Sequence, residues 1–202
     1  MGTLRRFGLQ DIIDRYSCNV LIETGTGSGD SLDYCSGFNF KKLYSVEIHK
    51  EIYQLARDKF AHDSRIEILN SSSAAAFETI FPSLGMEDKV LFWLDAHFPG
   101  VYCGLAKPGD EKADAIRLPL EQELYLISRL RKPKDVILVD DLRIYEDGPY
   151  EMGPLPDYWK NTMQEFQRKI DFVYEYFDNT HNIQRYYNDT GYLTLTPKEF
   201  SV

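Results

Sequence analysis

Two groups of residues in this sequence have types and spacings suited to chemistry. The first is acidic: Asp95 and His97 in Trp93-Leu94-Asp95-Ala96-His97, and the pair Asp140-Asp141 after the run 135–139. Each acid ends a nearly continuous apolar run, the pattern of a central parallel strand covered on both faces. If the two strands are neighbours, Asp95, Asp140 and Asp141 meet at one sheet edge. Three crowded carboxylates repel, so they need a cation or protonation. Oxygen ligands with room for water suit Mg2+, with Ca2+ or Mn2+ as alternatives. Such an ion can orient an acceptor hydroxyl and lower its pKa. His97, with an ordinary pKa of ~6.5, is suited to taking the proton. The competing reading is plainer: a lone strand-end Asp caps a turn or helix, and a lone His fills a structural hydrogen bond.

The second group is the run Glu23-Thr24-Gly25-Thr26-Gly27-Ser28-Gly29, which follows an apolar stretch and leads into a helical one. Glycines there permit positive φ and close approach of a ligand to the backbone, and the next helix offers free N–H groups. No Gly-Lys-Ser/Thr follows, so this is not a phosphate loop of the nucleotide-triphosphate type. The third glycine comes one residue too early for a dinucleotide fingerprint. Glu47 ends the next apolar run, 22 residues after Gly25. An acid there can accept hydrogen bonds from both hydroxyls of an adenosine ribose.

The elements that must position these groups alternate. Short apolar runs at 19–23, 42–47, 66–69, 89–95 and 135–140 predict strands; 30–35, 50–60, 72–80 and 120–130 predict helices between them. That alternation predicts an α/β doubly wound sheet. Toward the C-terminus, 158–169 predicts a helix, and 172–177 and 192–196 predict two strands paired antiparallel. The segments 98–118 and 143–157 are long for connections and follow strand carboxyl ends, so they are expected to bind substrate. Aromatic residues Tyr145, Tyr150, Tyr158, Trp159, Tyr186 and Tyr187 offer core surface or a platform for a ring. Arg143 can hold an anion or pair with a neighbouring acid. His49, His62 and His181 default to the surface.

With 202 residues and 43% hydrophobic composition, the chain fits one globular domain, 1–202, opening with a helical segment at 1–17. Its net charge of −9 disfavours nucleic acid as a partner. No apolar run reaches the length of a membrane span, and the N-terminus does not read as a signal peptide. Three separated cysteines without metal spacing suggest reduced thiols, and with them a cytoplasmic setting.

The acid followed by Gly-x-Gly-x-Gly at Glu23–Gly29, with Glu47 ending Tyr44-Ser45-Val46-Glu47, resembles the class I S-adenosylmethionine-dependent methyltransferases. The resemblance spans roughly 15–196 and implies a Rossmann-like sheet of about seven strands, mostly parallel with an antiparallel last strand, and helices on both faces. It implies S-adenosylmethionine as cofactor, held by Glu23, Thr24, Gly25, Gly27, Ser28 and Gly29. Glu47 with Ile48 would lie at the ribose, Ser71 and Ser72 near the adenine, and Asp95 beside the cofactor. The family's usual glycine-aspartate pair after the third strand is absent here. The acids are similar to those of metal-dependent O-methyltransferases of the catechol, caffeoyl-CoA and macrolide or aminocoumarin sugar types. That implies Asp95, Asp140 and Asp141 as metal ligands, with His97 where the sugar enzymes carry their base. The expected acceptor is a small molecule or sugar, and self-association is left open. The alternatives are a metal-independent N- or carboxyl-methyltransferase and a non-catalytic nucleotide-binding module.

Overall fold

The computed structural model describes residues 3–107, 109–111, 113–164 and 167–198. Seven strands form one sheet in the order β3-β2-β1-β4-β5-β7-β6. The chain begins with a 3-10 turn at Leu4–Arg6 and helix α1 (Leu9–Tyr16). It continues through β1 (Val20–Thr24), α2 (Asp30–Ser36), β2 (Lys42–Glu47), α3 (Lys50–Phe60), β3 (Ile66–Asn70), α4 (Ser73–Ser83) and β4 (Val90–Leu94). After α5 (Asp114–Arg117) and α6 (Leu120–Leu130) come β5 (Val136–Val139), α7 (Asp157–Lys160), α8 (Asp171–Phe177), β6 (His181–Tyr186) and β7 (Tyr192–Pro197). Strands β1 to β5 run parallel, and β7 pairs antiparallel with both β5 and β6.

The central strands are apolar because both faces are covered. Every residue of β1, β4 and β5 is buried. One face packs on α4, α6 and α8 through residues such as Phe77, Leu124 and Val173. The other packs on the N-terminal segment, α2 and α3 through Leu9, Leu32 and Phe60. The chain reverses direction in the sheet between β1 and β4, so the glycine turn and the strand-end acids share one edge, where open α/β sheets bind ligands. Backbone bonds continue past the strand ends: the Asp95 N–H donates to Thr24 O and the Asp140 N–H to Leu94 O, each at 3.0 Å.

The C-terminal region differs from its sequence expectation. Residues 172–177, predicted as a strand, lie in helix α8. Their aromatic composition favours a strand, but Phe172, Val173 and Phe177 fall on one helical face against the core. The antiparallel partner of β7 is instead His181–Tyr186, a mostly polar edge strand with only its first residue buried. The helix predicted over 158–169 is limited to Asp157–Lys160, and Thr162 onward forms turns; 165 and 166 lie outside the described residues. The 98–118 segment is turns followed by the single helical turn α5, with 108 and 112 also outside the described residues.

Candidate functional site

The glycine turn is pinned between β2 and β4. The Gly25 and Thr26 N–H groups donate to Val46 O at 2.9 and 3.3 Å. At Gly25 (φ +84°) a Cβ would fall 2.6 Å from the Asp95 carbonyl oxygen, so only glycine lets the two chains approach this closely. At Gly27 (φ +51°) a Cβ would meet nothing within 4 Å, because that side faces an open cavity. Glu47 closes the turn from the second strand. Its Oε2 accepts the Gly27 N–H at 3.1 Å and its Oε1 the His49 N–H at 2.8 Å. Burial pushes the Glu47 carboxyl up while these backbone donors pull it back. Each oxygen keeps acceptor capacity for a ligand hydroxyl. Asn70, at the end of β3, donates to the carbonyls of Glu47 and Ile48 at 2.8 and 3.1 Å and fixes that bend. Ser72 is the N-cap of α4.

Beneath the turn lies a closed hydrogen-bond network. Glu23 is fully buried and accepts from Ser31 Oγ and, at 2.5 Å, from Ser45 Oγ. Ser45 Oγ in turn lies 2.7 Å from Thr26 Oγ1. Burial pushes the Glu23 carboxyl up to about 7. Glu23 and Thr24 therefore support the turn from below and do not line the cavity, and Gly29 packs against the Phe60 ring. The cavity, ≈ 600 Å³, is lined by Gly25, Gly27, Ser28, Glu47 and Ile48, and by Ser71 and Ser72 toward β3.

The acidic set lines the same cavity, next to Gly25. Asp95, His97 and Asp141 offer ligand atoms that all lie within 4.8 Å of one another. His97 stands between the acids, with Nδ1 3.6 Å from Asp95 Oδ1 and Nε2 2.8 Å from Asp141 Oδ2. The second approach is close but poorly aligned, so Nε2 makes no well-formed hydrogen bond, and Asp141 Oδ1 has no hydrogen-bond partner among the described residues. Asp140 does not join them. Its Oδ1 turns back to accept the Asp141 N–H at 2.7 Å and faces Thr190 Oγ1 at 3.5 Å, away from the cavity lining. Adjacent side chains leaving a strand point to opposite sides, and Asp141 itself takes a left-handed conformation (φ +51°) that turns it inward. The structure thus groups Asp95, His97 and Asp141, with Asp140 turned out of the set expected from the sequence.

The electrostatics agree with this division. Burial, then the nearby Asp140 and Asp141, holds the Asp95 carboxyl well above its usual range. Burial likewise raises Asp140, with Asp141 adding to it. Burial also opposes ionisation of Asp141, but contact with His97 overcomes it and keeps this carboxyl low. Besides Asp141, the non-glycine residue at positive φ beside this cluster is Phe98 (φ +43°), the kind of local strain that accompanies functional sites.

Some of this site escaped the sequence reading. Tyr102 donates to Asp141 Oδ2 at 3.0 Å, stacks on Trp159 at 5.5 Å and meets the His97 ring edge-on at 5.5 Å. Nothing in its local sequence marks it beyond lying in the 98–118 segment. Arg5, from the N-terminal turn, also lines the cavity. Arg143 stays behind Asp141, its Nε 4.0 Å from Oδ1. Tyr145 and Tyr150 are core residues, whereas Tyr158 is exposed. His181, expected at the surface, is buried with Nε2 3.1 Å from the Asp135 carbonyl oxygen.

No protein-family profile and no curated relative matches the sequence. Solved structures do match the fold. A methyltransferase from Podospora anserina, determined with bound SAH, superposes with a TM-score of 0.61 at 15% identity, over 94% of this chain and 76% of that one. A candidate caffeoyl-CoA O-methyltransferase from Staphylococcus aureus gives 0.61 at 13% identity, over 98% and 85%. An O-methyltransferase from Bacillus cereus, in complex with SAH, gives 0.56 at 13% identity, over 94% and 79%. At these identities the likeness is one of fold: a seven-stranded Rossmann-like sheet with an antiparallel last strand. Among the described residues, no helix is long and apolar enough to cross a membrane.

Proposed function

We propose, from this class I methyltransferase fold and the site it carries, that the protein transfers the methyl group of S-adenosylmethionine to a hydroxyl oxygen. The acceptor is a small molecule or sugar, and a divalent cation assists. The observation that carries the reading is one cavity lined both by the Gly25–Gly27 turn with Glu47 and by the group Asp95, His97 and Asp141. Bound S-adenosylmethionine supplies an electrophilic methyl on sulfur, and a bound divalent ion supplies positive charge against an acceptor oxygen.

The chain does the positioning. Glu47 offers its free acceptor capacity to the ribose hydroxyls, and the exposed backbone at Gly27 admits the ligand without a side chain in the way. Asp95, His97 and Asp141 fit a cation on two counts: unpartnered polar atoms face each other, and the acids repel without positive charge between them. A donor set of two carboxylates and an imidazole favours Mn2+ over the Mg2+ or Ca2+ expected of oxygen ligands alone. Tyr102, backed by the stacked Trp159 ring, covers the Asp141 side of the cavity and limits water there, so most of the acceleration comes from orientation and desolvation.

A second reading has its own support. His97 Nε2 lies 2.8 Å from Asp141 Oδ2, where the acid's charge favours a protonated imidazole, so His97 can take the acceptor's proton without a metal. Turnover of radiolabelled S-adenosylmethionine with catechol-type and sugar acceptors, with Mn2+ or with excess chelator, tests both. Methyl transfer that chelator abolishes supports the metal; transfer indifferent to chelator and lost in His97→Gln supports the histidine base. No transfer to any hydroxyl acceptor counts against the O-methyl proposal.

A further inference from the structure

The turn at 98–105 lines the cavity and carries Tyr102 to the acidic group. Its path uses three residues at positive φ: Phe98 (+43°), Gly100 (+73°) and Gly104 (+72°). At Gly100 a Cβ would fall 2.6 Å from His49 Nε2, so the turn passes in contact with the residue that opens α3. Three backbone bonds shape it: the Val101 N–H donates to Phe98 O at 3.1 Å, the Gly104 N–H to Val101 O at 3.1 Å and the Leu105 N–H to Gly100 O at 2.9 Å. Its base is fixed. Phe98 is buried, packs edge-on against Trp159 at 4.6 Å, and donates its N–H to Arg117 O at 2.9 Å.

Beyond that base the turn is loosely seated. Cys103 and Leu105 share with Leu55, Ala56 and Lys59 of α3 an open groove of ≈ 310 Å³. Leu55 and Leu105 are both exposed, so little apolar burial holds the turn on α3. The firm contacts belong to Tyr102. Its hydroxyl donates to Asp141 Oδ2 at 3.0 Å, its ring stacks on Trp159 at 5.5 Å, and it meets the His97 ring edge-on at 5.5 Å. Asp141 Oδ2 is also the oxygen that His97 Nε2 approaches to 2.8 Å. That oxygen is therefore covered by two groups of its own chain, while Oδ1 has no hydrogen-bond partner among the described residues.

We propose that Tyr102 is a latch: its hydroxyl holds the 98–105 turn shut on Asp141, and the turn must open before a cation or an acceptor hydroxyl can engage that acid. This rests on the reading of Asp95, His97 and Asp141 as the reacting group and adds a control on it. The hydroxyl of Tyr102 occupies the contact that an incoming hydroxyl would make, so the chain supplies its own competitor. A ligand that needs the open form binds with an affinity lowered by the fraction of molecules that are open. Once the group is loaded, the ring closes over it again with its hydroxyl no longer on Oδ2, as lids do around a reacting site.

The test compares the full chain with Tyr102→Phe, which keeps the ring and removes the hydroxyl, by two readouts. Tyr102 is about half exposed, so the variant keeps the melting temperature of the unaltered protein. Hydrogen exchange without metal reports the turn directly: the amides of Val101, Gly104 and Leu105 exchange about fivefold or more faster in the variant, while those of the central strands do not change. Titration with Mn2+ alone, read by the paramagnetic resonance signal of the free ion, gives binding about five- to tenfold tighter in the variant. Unchanged exchange overturns the latch, and so does Mn2+ binding that is equal or weaker in Tyr102→Phe. If neither protein binds Mn2+, the cation reading falls, and the exchange rates alone decide the latch.

Discussion

At the ends of β1 and β2, each oxygen of Glu23 and Glu47 has a donor within the chain: Ser31, Ser45, Gly27 and His49. At the ends of β4 and β5, Asp141 Oδ1 and His97 Nε2 lack a well-formed bond, and Asp95 is crowded by other carboxylates. The two regions share one sheet edge and one cavity. The first has both its carboxylates bonded before any ligand arrives, so it presents a fixed shape. The second stores repulsion and unmade bonds, which a cation or a proton relieves. On the proposed reading, shape recognition and charge chemistry fall to different strand pairs, and substitutions in the two regions should separate binding from turnover.

The largest expected effect is at the unsatisfied end. Asp141→Ala should lower methyl-transfer turnover by about a thousandfold, while S-adenosylhomocysteine affinity changes less than about threefold. Steady-state kinetics beside calorimetry measure both, and a parallel loss of affinity would erase the division. Next comes the pH response of the satisfied end. Folded Glu23 keeps its proton up to about 7, whereas the unfolded chain releases it near the ordinary 4.5. Its contribution is therefore fully present below about 4.5 and is lost as pH rises through 7, with a span of about 3 kcal/mol. Glu23→Gln should flatten the fall in melting temperature over that window; an unchanged slope would show that Glu23 ionises freely.

Gly25→Ala should cost about 2–3 kcal/mol, because a Cβ would sit 2.6 Å from the Asp95 carbonyl oxygen at φ +84°. That corresponds to roughly 5–10 °C in melting temperature, read by calorimetric scanning. The smallest effect belongs to Glu47→Gln. Exchanging one acceptor oxygen for an amide should weaken S-adenosylhomocysteine by about tenfold and leave the metal dependence of turnover untouched. A change in metal response there would couple Glu47 to the Asp95, His97 and Asp141 group and erase the contrast.

The same contrast explains what was legible in the sequence. The strands at Val20–Thr24, Val90–Leu94 and Val136–Val139 announce themselves, because burial on both faces demands apolar runs. The edge strand His181–Tyr186 carries no such signal, and Asp171–Phe177 imitates a strand with aromatics that pack as one face of a helix. At the site, residue type was legible and direction was not. Asp140 and Asp141 are equivalent on paper; one turns toward Thr190 and the other into the cavity through a left-handed turn. Glu23 matches a cofactor motif by position, yet its burial makes it a support for the turn. Tyr102 and Arg5 reach the cavity from segments whose folded paths no local pattern encodes.

The most direct test of the central claim is calorimetric titration of the purified protein with S-adenosylmethionine, once with Mn2+ and once with excess chelator. The Gly25–Glu47 end is complete without a metal, so the predicted result is micromolar binding at one site per chain under both conditions. Absence of binding under both conditions would contradict the account and leave the cavity to a different nucleotide-like ligand.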